Sequence, residues 1–142
     1  MEHRPAHRSE FDAIRGLLDG YGWDEDPIEL GELWGCFDDG EPIGTVRLVD
    51  AGPDDTYVAS VLVREDRRGA GLGADLMRVA MASRPGRTFY LTCHPERLGF
   101  YGRLGYAESD RGTWPAGIVA ASKAEDDWGS DHDHLHHFLT AR

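Results

Sequence analysis

The chain has 142 residues, enough for one hydrophobic core and short for two. Its formal charge is −11, from 26 acidic and 15 basic residues, and so acidic a surface repels nucleic acid, whose binding rests on Lys and Arg contacts to phosphate. No apolar run is long enough for a transmembrane helix, and Met1-Glu2-His3-Arg4-Pro5 lacks the apolar stretch of a signal peptide, which points to a cytoplasmic protein with no membrane partner.

In chain order, residues 2–4 read as a short strand. Ser9 is placed to cap a helix over 10–18, with Phe11, Ile14 and Leu18 on one face. Residues 21–26 form a turn-rich loop and 27–33 a second short helix. Strands at 33–37 and 42–50 make a hairpin around Asp38-Asp39-Gly40. A turn at 51–55 leads into a strand at 57–63, then a helix at 71–83 that Arg84-Pro85-Gly86 stops. Residues 88–93 are the next strand and 96–104 the next helix, opened by Pro95 and closed by Gly105 in a left-handed conformation. Residues 106–109 read as a strand, 115–123 as a strand or a short helix, and 135–140 as the last strand. Alternating strands and helices predict one α/β domain over 1–142. Cys36 and Cys93 form no C-x-x-C and read as small buried residues in a reducing compartment; a disulfide between them stays open.

The segment with most chemical content is Arg68-Gly69-Ala70-Gly71-Leu72-Gly73. It joins an apolar strand to a helix. Glycines let main-chain N–H groups approach a ligand, and a helix start offers unpaired donors and the positive end of a dipole. Together they make an anion cradle. The dinucleotide spacing G-x-G-x-x-G is absent, and Lys123, the only lysine, excludes a Gly-Lys-Ser/Thr nucleotide loop. The plainer reading is a tight strand-to-helix turn. Arg64, Arg67 and Arg68 form a local basic patch that would draw an anionic cofactor.

The pattern Arg68-x-x-Gly71-x-Gly73 resembles the acyl-CoA pyrophosphate loop of the GCN5-related N-acetyltransferases, the GNAT family. Residues 61–68 look like the family's fourth strand and its approach to that loop. A second stretch, Phe100-Tyr101-Gly102-Arg103-Leu104-Gly105-Tyr106, resembles the family's F-Y-x-x-x-G-F/Y segment. The resemblance spans about residues 57–106. It implies a mixed, mostly antiparallel central sheet flanked by helices, and transfer of an acetyl group from acetyl-CoA to the amine of a small molecule or amino acid.

By the same resemblance, main-chain groups of Val61 and Val63 hold the pantetheine arm, with an N–H near Val63 facing the developing oxyanion. Main-chain N–H groups of Gly69, Ala70, Gly71, Leu72, Gly73 and Ala74, with Arg68 beside them, hold the pyrophosphate. Tyr101 donates a proton to the departing sulfur; read from the residues alone, it is a core aromatic. Many members carry a glutamate on the fourth strand, where this chain reads Tyr57-Val58-Ala59-Ser60-Val61 and has no carboxylate. His94 is the substitute base by position, Ser60 a residue that could steer a water, and a strand-end histidine bonded to main chain the plainer reading. A non-catalytic acyl-CoA-binding module of the same fold is the alternative function.

Leu98, Tyr101 and Leu104 share a helical face, and Trp23, Trp34, Trp114 and Trp128 fall in or beside the variable segments expected to build an acceptor pocket. The run Asp131-His132-Asp133-His134-Leu135-His136-His137 invites a metal reading, but no second cluster completes a ligand set, so no metal is expected. The acidity reads either as attraction for a cationic amine or as a general solvated, salt-adapted surface. The partner expected is a small-molecule amine; a homodimer stays open.

Overall fold

The structure is a computed structural model and describes residues 1–25, 27–125 and 137–142. The described strands are β1 (Glu2–Pro5), β2 (Glu32–Asp38), β3 (Glu41–Asp50), β4 (Asp55–Val63), β5 (Thr88–Cys93), β6 (Ala107–Glu108) and β7 (His137–Ala141). The described α-helices are α1 (Phe11–Asp19), α2 (Leu72–Ala82), α3 (Leu98–Arg103) and α4 (Ala116–Ala124). The strands hydrogen-bond in the order β1-β2-β3-β4-β5-β7-β6, in a mostly antiparallel sheet. The expected α/β class holds. The chain forms two compact units, one of Met1–Leu48 with Ala59–Arg84 and one of Val49–Val58 with Pro85–Arg142.

In the first unit, β2 and β3 make the expected hairpin. Asp38 faces Glu41, leaving Asp39 and Gly40 as a two-residue loop with φ of 52° and 81°. Two positive φ values define a type I′ turn, whose twist matches that of the strands it joins, and Asp-Gly is among its preferred pairs. Residues 42–48 of β3 are continuously buried, the pattern of a strand covered on both faces. Ile14 and Leu18 of α1, one helical turn apart, bury with Ile28, Leu33, Phe37 and Leu62, and Phe11 packs against them. Helix α2 packs along β1 and β2 and buries Leu76, Met77 and Ala80.

In the second unit, β4 pairs in parallel with β5 over Asp55↔Thr88, Thr56↔Phe89 and Tyr57↔Tyr90. Strand β7 runs antiparallel to both β5 and β6. Strand β5 alternates in burial, with Phe89, Leu91 and Cys93 inward. Trp114 joins this unit's aromatic groups, its ring edge-on to Tyr57 at 6.4 Å and to Tyr90 and Phe138 at 5.3 Å. Gly105 adopts the expected left-handed conformation, φ 94°, just past α3.

Three expectations need correction. Ser9 does not cap the first helix: a 3₁₀ turn, Arg8–Glu10, precedes α1, and the Glu10 side chain caps its start instead. Residues 27–33 are not a helix; one turn closes from Leu30 N–H to the Pro27 carbonyl, and Glu32 already belongs to β2. The helix expected at 96–104 begins as a 3₁₀ turn, Pro95–Arg97, and becomes α-helical only at Leu98. The two-way reading of 115–123 resolves as helix α4. Of the expected last strand, 137–140 is strand, and residues 135 and 136 lie outside the described residues.

The Glu10 carboxylate accepts from the His7 N–H at 2.8 Å and from both terminal nitrogens of Arg4 at 2.8 and 3.0 Å. The Arg4 hydrogen bonds hold its carboxyl down to about 2, against an ordinary 4.5. Between those values the unfolded chain binds the extra proton. The stabilisation is therefore complete above pH 4.5 and is lost as the pH falls toward 2. We expect Glu10→Gln to cost about 1 kcal/mol at neutral pH, the scale of a partly exposed charge-assisted pair. Denaturant unfolding should show this gap narrowing as the pH is lowered from 5 toward 3; a constant gap would contradict the linkage.

Candidate functional site

The sequence-derived site residues fall into two groups. The first unit carries Val61 and Val63 at the end of β4 and the loop from Arg68 to Ala74 at the start of α2. The second unit carries His94 and Tyr101.

At the loop, Gly69 and Gly71 have φ of 88° and 78°, conformations that glycine adopts without the Cβ penalty. Gly71 is also the N-cap of α2 and offers no side chain to bond the first turn. The first main-chain N–H of the helix to find an acceptor is that of Asp75, which bonds the Gly71 carbonyl at 3.0 Å. Among the described residues, the six N–H groups of Gly69, Ala70, Gly71, Leu72, Gly73 and Ala74 have no acceptor. A helix start normally leaves four such donors; here two loop amides lengthen the set. A Cβ at Gly69 or Gly71 would meet no protein atom within 4 Å, so packing does not require these glycines. The backbone conformation does, and so would a ligand lying close to it. The loop fits an anion such as a pyrophosphate.

The arginines beside the loop do different work. Arg64 bonds Asp66 at 2.7 Å and Glu41 at 2.9 Å, and Arg67 bonds Asp38 at 2.6 Å. The expected three-arginine patch is thus largely neutralised by carboxylates. Arg68 differs: its Nε donates to the Val63 carbonyl at 2.8 Å, and its guanidinium lies 5.4 Å from the centre of the Tyr21 ring. The Tyr21 hydroxyl in turn accepts from the Glu65 N–H at 2.6 Å. Arg68 is exposed and remains the cation of this set nearest in sequence to the six amides. Its bond to Val63 also ties the end of β4 to the loop. An open groove of about 540 Å³ lies between α1 and the Arg64–Glu65 corner, but none of the expected cofactor residues lines it.

In the second unit, Tyr101 lies on α3 and is 5% exposed, with its ring edge-on to Phe100 at 5.0 Å and to Tyr106 at 5.7 Å. Burial, aided by the neighbouring Cys93, pushes its hydroxyl well above the usual tyrosine range, so it stays protonated at any working pH. Such a group is present as the neutral phenol and is unfit to act as a base. Leu98 and Leu104 are half-buried on the same face. His94 is exposed at the end of β5, with its carbonyl accepting from the Arg97 N–H at 3.0 Å.

The sequence reading missed a network in the first unit. Arg47 of β3 is wholly buried, and its Nε donates to the Ser60 hydroxyl at 3.2 Å. Ser60 takes a positive φ of 57° inside β4 and donates to a carboxylate oxygen of Glu25 at 3.0 Å. A lone arginine between Val46 and Leu48 in an apolar strand was the available signal, since an unpaired buried charge is costly.

Trp34 is buried and bonds Glu32, and Trp114 is buried in its aromatic group, so both serve packing. Trp23 packs against the first unit's core, and Trp128 lies outside the described residues. Of the histidine run, only His137 is described, and it pairs with Glu108. Among the described residues no group of three His, Cys, Asp or Glu side chains could hold a metal, and no helix is long and apolar enough to cross a membrane.

The acetyltransferase (GNAT) domain family matches residues 29–108 of this sequence. No curated protein matches it. Solved structures share the fold at low identity. Rv2747 from Mycobacterium tuberculosis, solved in complex with CoA, is similar at a TM-score of 0.77 and 17% identity, over 99% of this chain and 98% of that one. N-acetylglutamate synthase from Neisseria gonorrhoeae, complexed with coenzyme A and N-acetyl-glutamate, is similar at 0.76 and 17%, over 99% of this chain and 34% of that one. ElaA from Escherichia coli is similar at 0.73 and 15%, over 99% and 97%.

Cys36 and Cys93 are buried and free, so the structure contains no disulfide between them. Burial raises both thiols, Cys93 to about 11. We therefore expect the native protein to react with a disulfide reagent at pH 8 at least ~10-fold more slowly than a free thiol, because the thiolate is the reacting species. Both thiols should titrate on unfolding; two fast equivalents from native protein would contradict the burial.

Proposed function

The chain belongs to the GNAT family of acetyltransferases, and on that premise we propose that it moves an acetyl group from acetyl-CoA to the amine of a small molecule or amino acid by direct attack. The observation that carries this reading is the run of six unpaired main-chain N–H groups from Gly69 to Ala74 at the positive end of α2. Similar folds solved with CoA, one of them beside an N-acetylated amino acid, support the choice of cosubstrate and acceptor class.

In this reading the pyrophosphate lies on the six amides with Arg68 beside it. Val61 and Val63 hold the pantetheine arm through their main chain. The amine nitrogen attacks the thioester carbonyl, the oxyanion is met by a main-chain N–H near Val63, and CoA leaves as a thiolate. Tyr101, protonated because it is buried, gives that thiolate its proton. The whole chain acts as one transferase domain, and its two free cysteines fit a reducing, cytoplasmic setting.

Three variants test the reading. Gly71→Val forces a β-branched residue into φ 78° and sets a side chain between the amides and the phosphates. It should weaken acetyl-CoA binding more than ~10-fold by calorimetry while circular dichroism stays native, and Arg68→Ala should weaken it less. Wild-type affinity in Gly71→Val would place the cofactor elsewhere. Tyr101→Phe keeps the ring and removes the proton, so kcat should fall about 10²-fold with acetyl-CoA affinity unchanged. Wild-type turnover across the pH range would return Tyr101 to a packing role. Acetyl-CoA binding with no CoA release over an amine panel would mark a non-catalytic binding module.

A further inference from the structure

The acceptor amine reaches the site as an ammonium, and something must remove its proton before nitrogen can attack. The stretch of β4 from Tyr57 to Val63 carries no carboxylate of its own. It does carry a distortion. Ser60 sits at φ 57°, a left-handed conformation that strains a non-glycine residue and persists only where the surroundings hold it. The surroundings are specific. The Ser60 hydroxyl donates to a Glu25 carboxylate oxygen at 3.0 Å and accepts from the Arg47 Nε at 3.2 Å.

Arg47 is 0% exposed, and its other nitrogens donate to the Leu30 carbonyl at 2.9 Å and the Glu25 carbonyl at 3.4 Å. A buried guanidinium is a costly way to fill a core position unless each donor is used. Here the donors hold the Glu25 and Leu30 carbonyls and the left-handed Ser60 of β4 at once. The result brings a half-buried carboxylate to β4 from 35 residues away in sequence. Two side chains define the arrangement: the Arg47 guanidinium from β3 and the Ser60 hydroxyl from β4.

We propose that Glu25 binds the cationic amine of the acceptor and takes its proton, with Ser60 and Arg47 as the residues that position it. The assignment rests on the reading above, in which the main chain from Val61 onward holds the thioester arm; Ser60 immediately precedes it. The ammonium gives one proton to the Glu25 carboxylate and becomes a neutral amine. The nitrogen lone pair forms the C–N bond, the C–S bond breaks, and its electron pair leaves on sulfur. The nitrogen sheds its second proton, the thiolate gains one, and Glu25 returns its proton to water. The sum is ammonium plus acetyl-CoA giving amide, CoA and one proton. The acceptor class is a primary amine that is cationic at neutral pH.

The test follows CoA release by chromatography from acetyl-CoA and a panel of primary amines, with acetyl-CoA affinity measured in parallel. For the best amine, Glu25→Gln should lower kcat/KM by about 10²-fold or more near neutral pH. The deficit should shrink as the pH rises and the amine deprotonates in solution, while acetyl-CoA affinity stays unchanged. Ser60→Ala keeps the carboxylate but loosens it, and should lose about 10-fold with the same recovery. A Glu25→Gln that equals wild type at every pH overturns the role of Glu25 alone, and so does a pH-independent loss that tracks weakened acetyl-CoA binding. A wild type that binds acetyl-CoA but releases no CoA with any amine of the panel overturns the transfer reading and the role of Glu25 together.

Discussion

Six consecutive amides cannot stay unpaired in a folded chain without a conformation that turns them away from every protein acceptor. In this protein two left-handed glycines, Gly69 and Gly71, impose that conformation between β4 and α2. The helix supplies the dipole and the loop the extra donors. The surroundings keep the turn in place. Arg68 ties it back to the Val63 carbonyl, Tyr21 holds the Glu65 amide, and Arg64 and Arg67 are pinned to Asp66, Glu41 and Asp38. In a chain of charge −11, an anion site made of main-chain donors has an advantage over one made of cations. The surrounding carboxylates engage the arginine side chains but cannot neutralise the main-chain dipoles.

The two halves of the proposed chemistry rest on different physics. Binding at the loop is chiefly a matter of backbone geometry, which the Arg68 side chain supplements. Proton transfer is a matter of side-chain environment. Tyr101 is kept protonated by burial, and Glu25 is kept in place by a buried guanidinium and a strained serine. Substitutions at the loop should therefore act on affinity, and substitutions at Tyr101 or Glu25 on turnover.

Much of this was legible from residue order, because local rules govern it. Asp39-Gly40 specifies its own turn, Gly105 its own helix end, and Ile14 and Leu18 their shared face. The glycine loop was legible for the same reason. The errors arose where a side chain from another element overrode the local preference. Ser9 is a good capping residue, but Arg4 holds Glu10 where it outcompetes it. Residues 27–33 have helical spacing, but Glu32 and Leu33 are taken by pairing with β3. The basic patch was misread because its carboxylate partners come from positions as distant as Asp38 and Glu41. The Glu25–Ser60–Arg47 network brings Glu25 to the neighbouring strands β3 and β4 through the Arg47 and Ser60 side chains, and no periodicity announces such a meeting.

The central claim is that the amides of Gly69 to Ala74 are the cofactor cradle. Amide chemical-shift mapping during an acetyl-CoA titration tests it most directly. The account predicts that these six resonances shift furthest, with downfield proton changes typical of N–H groups gaining an anionic acceptor, and that Gly71→Val abolishes the response. Acetyl-CoA binding that leaves these six amides unmoved while perturbing others would contradict it.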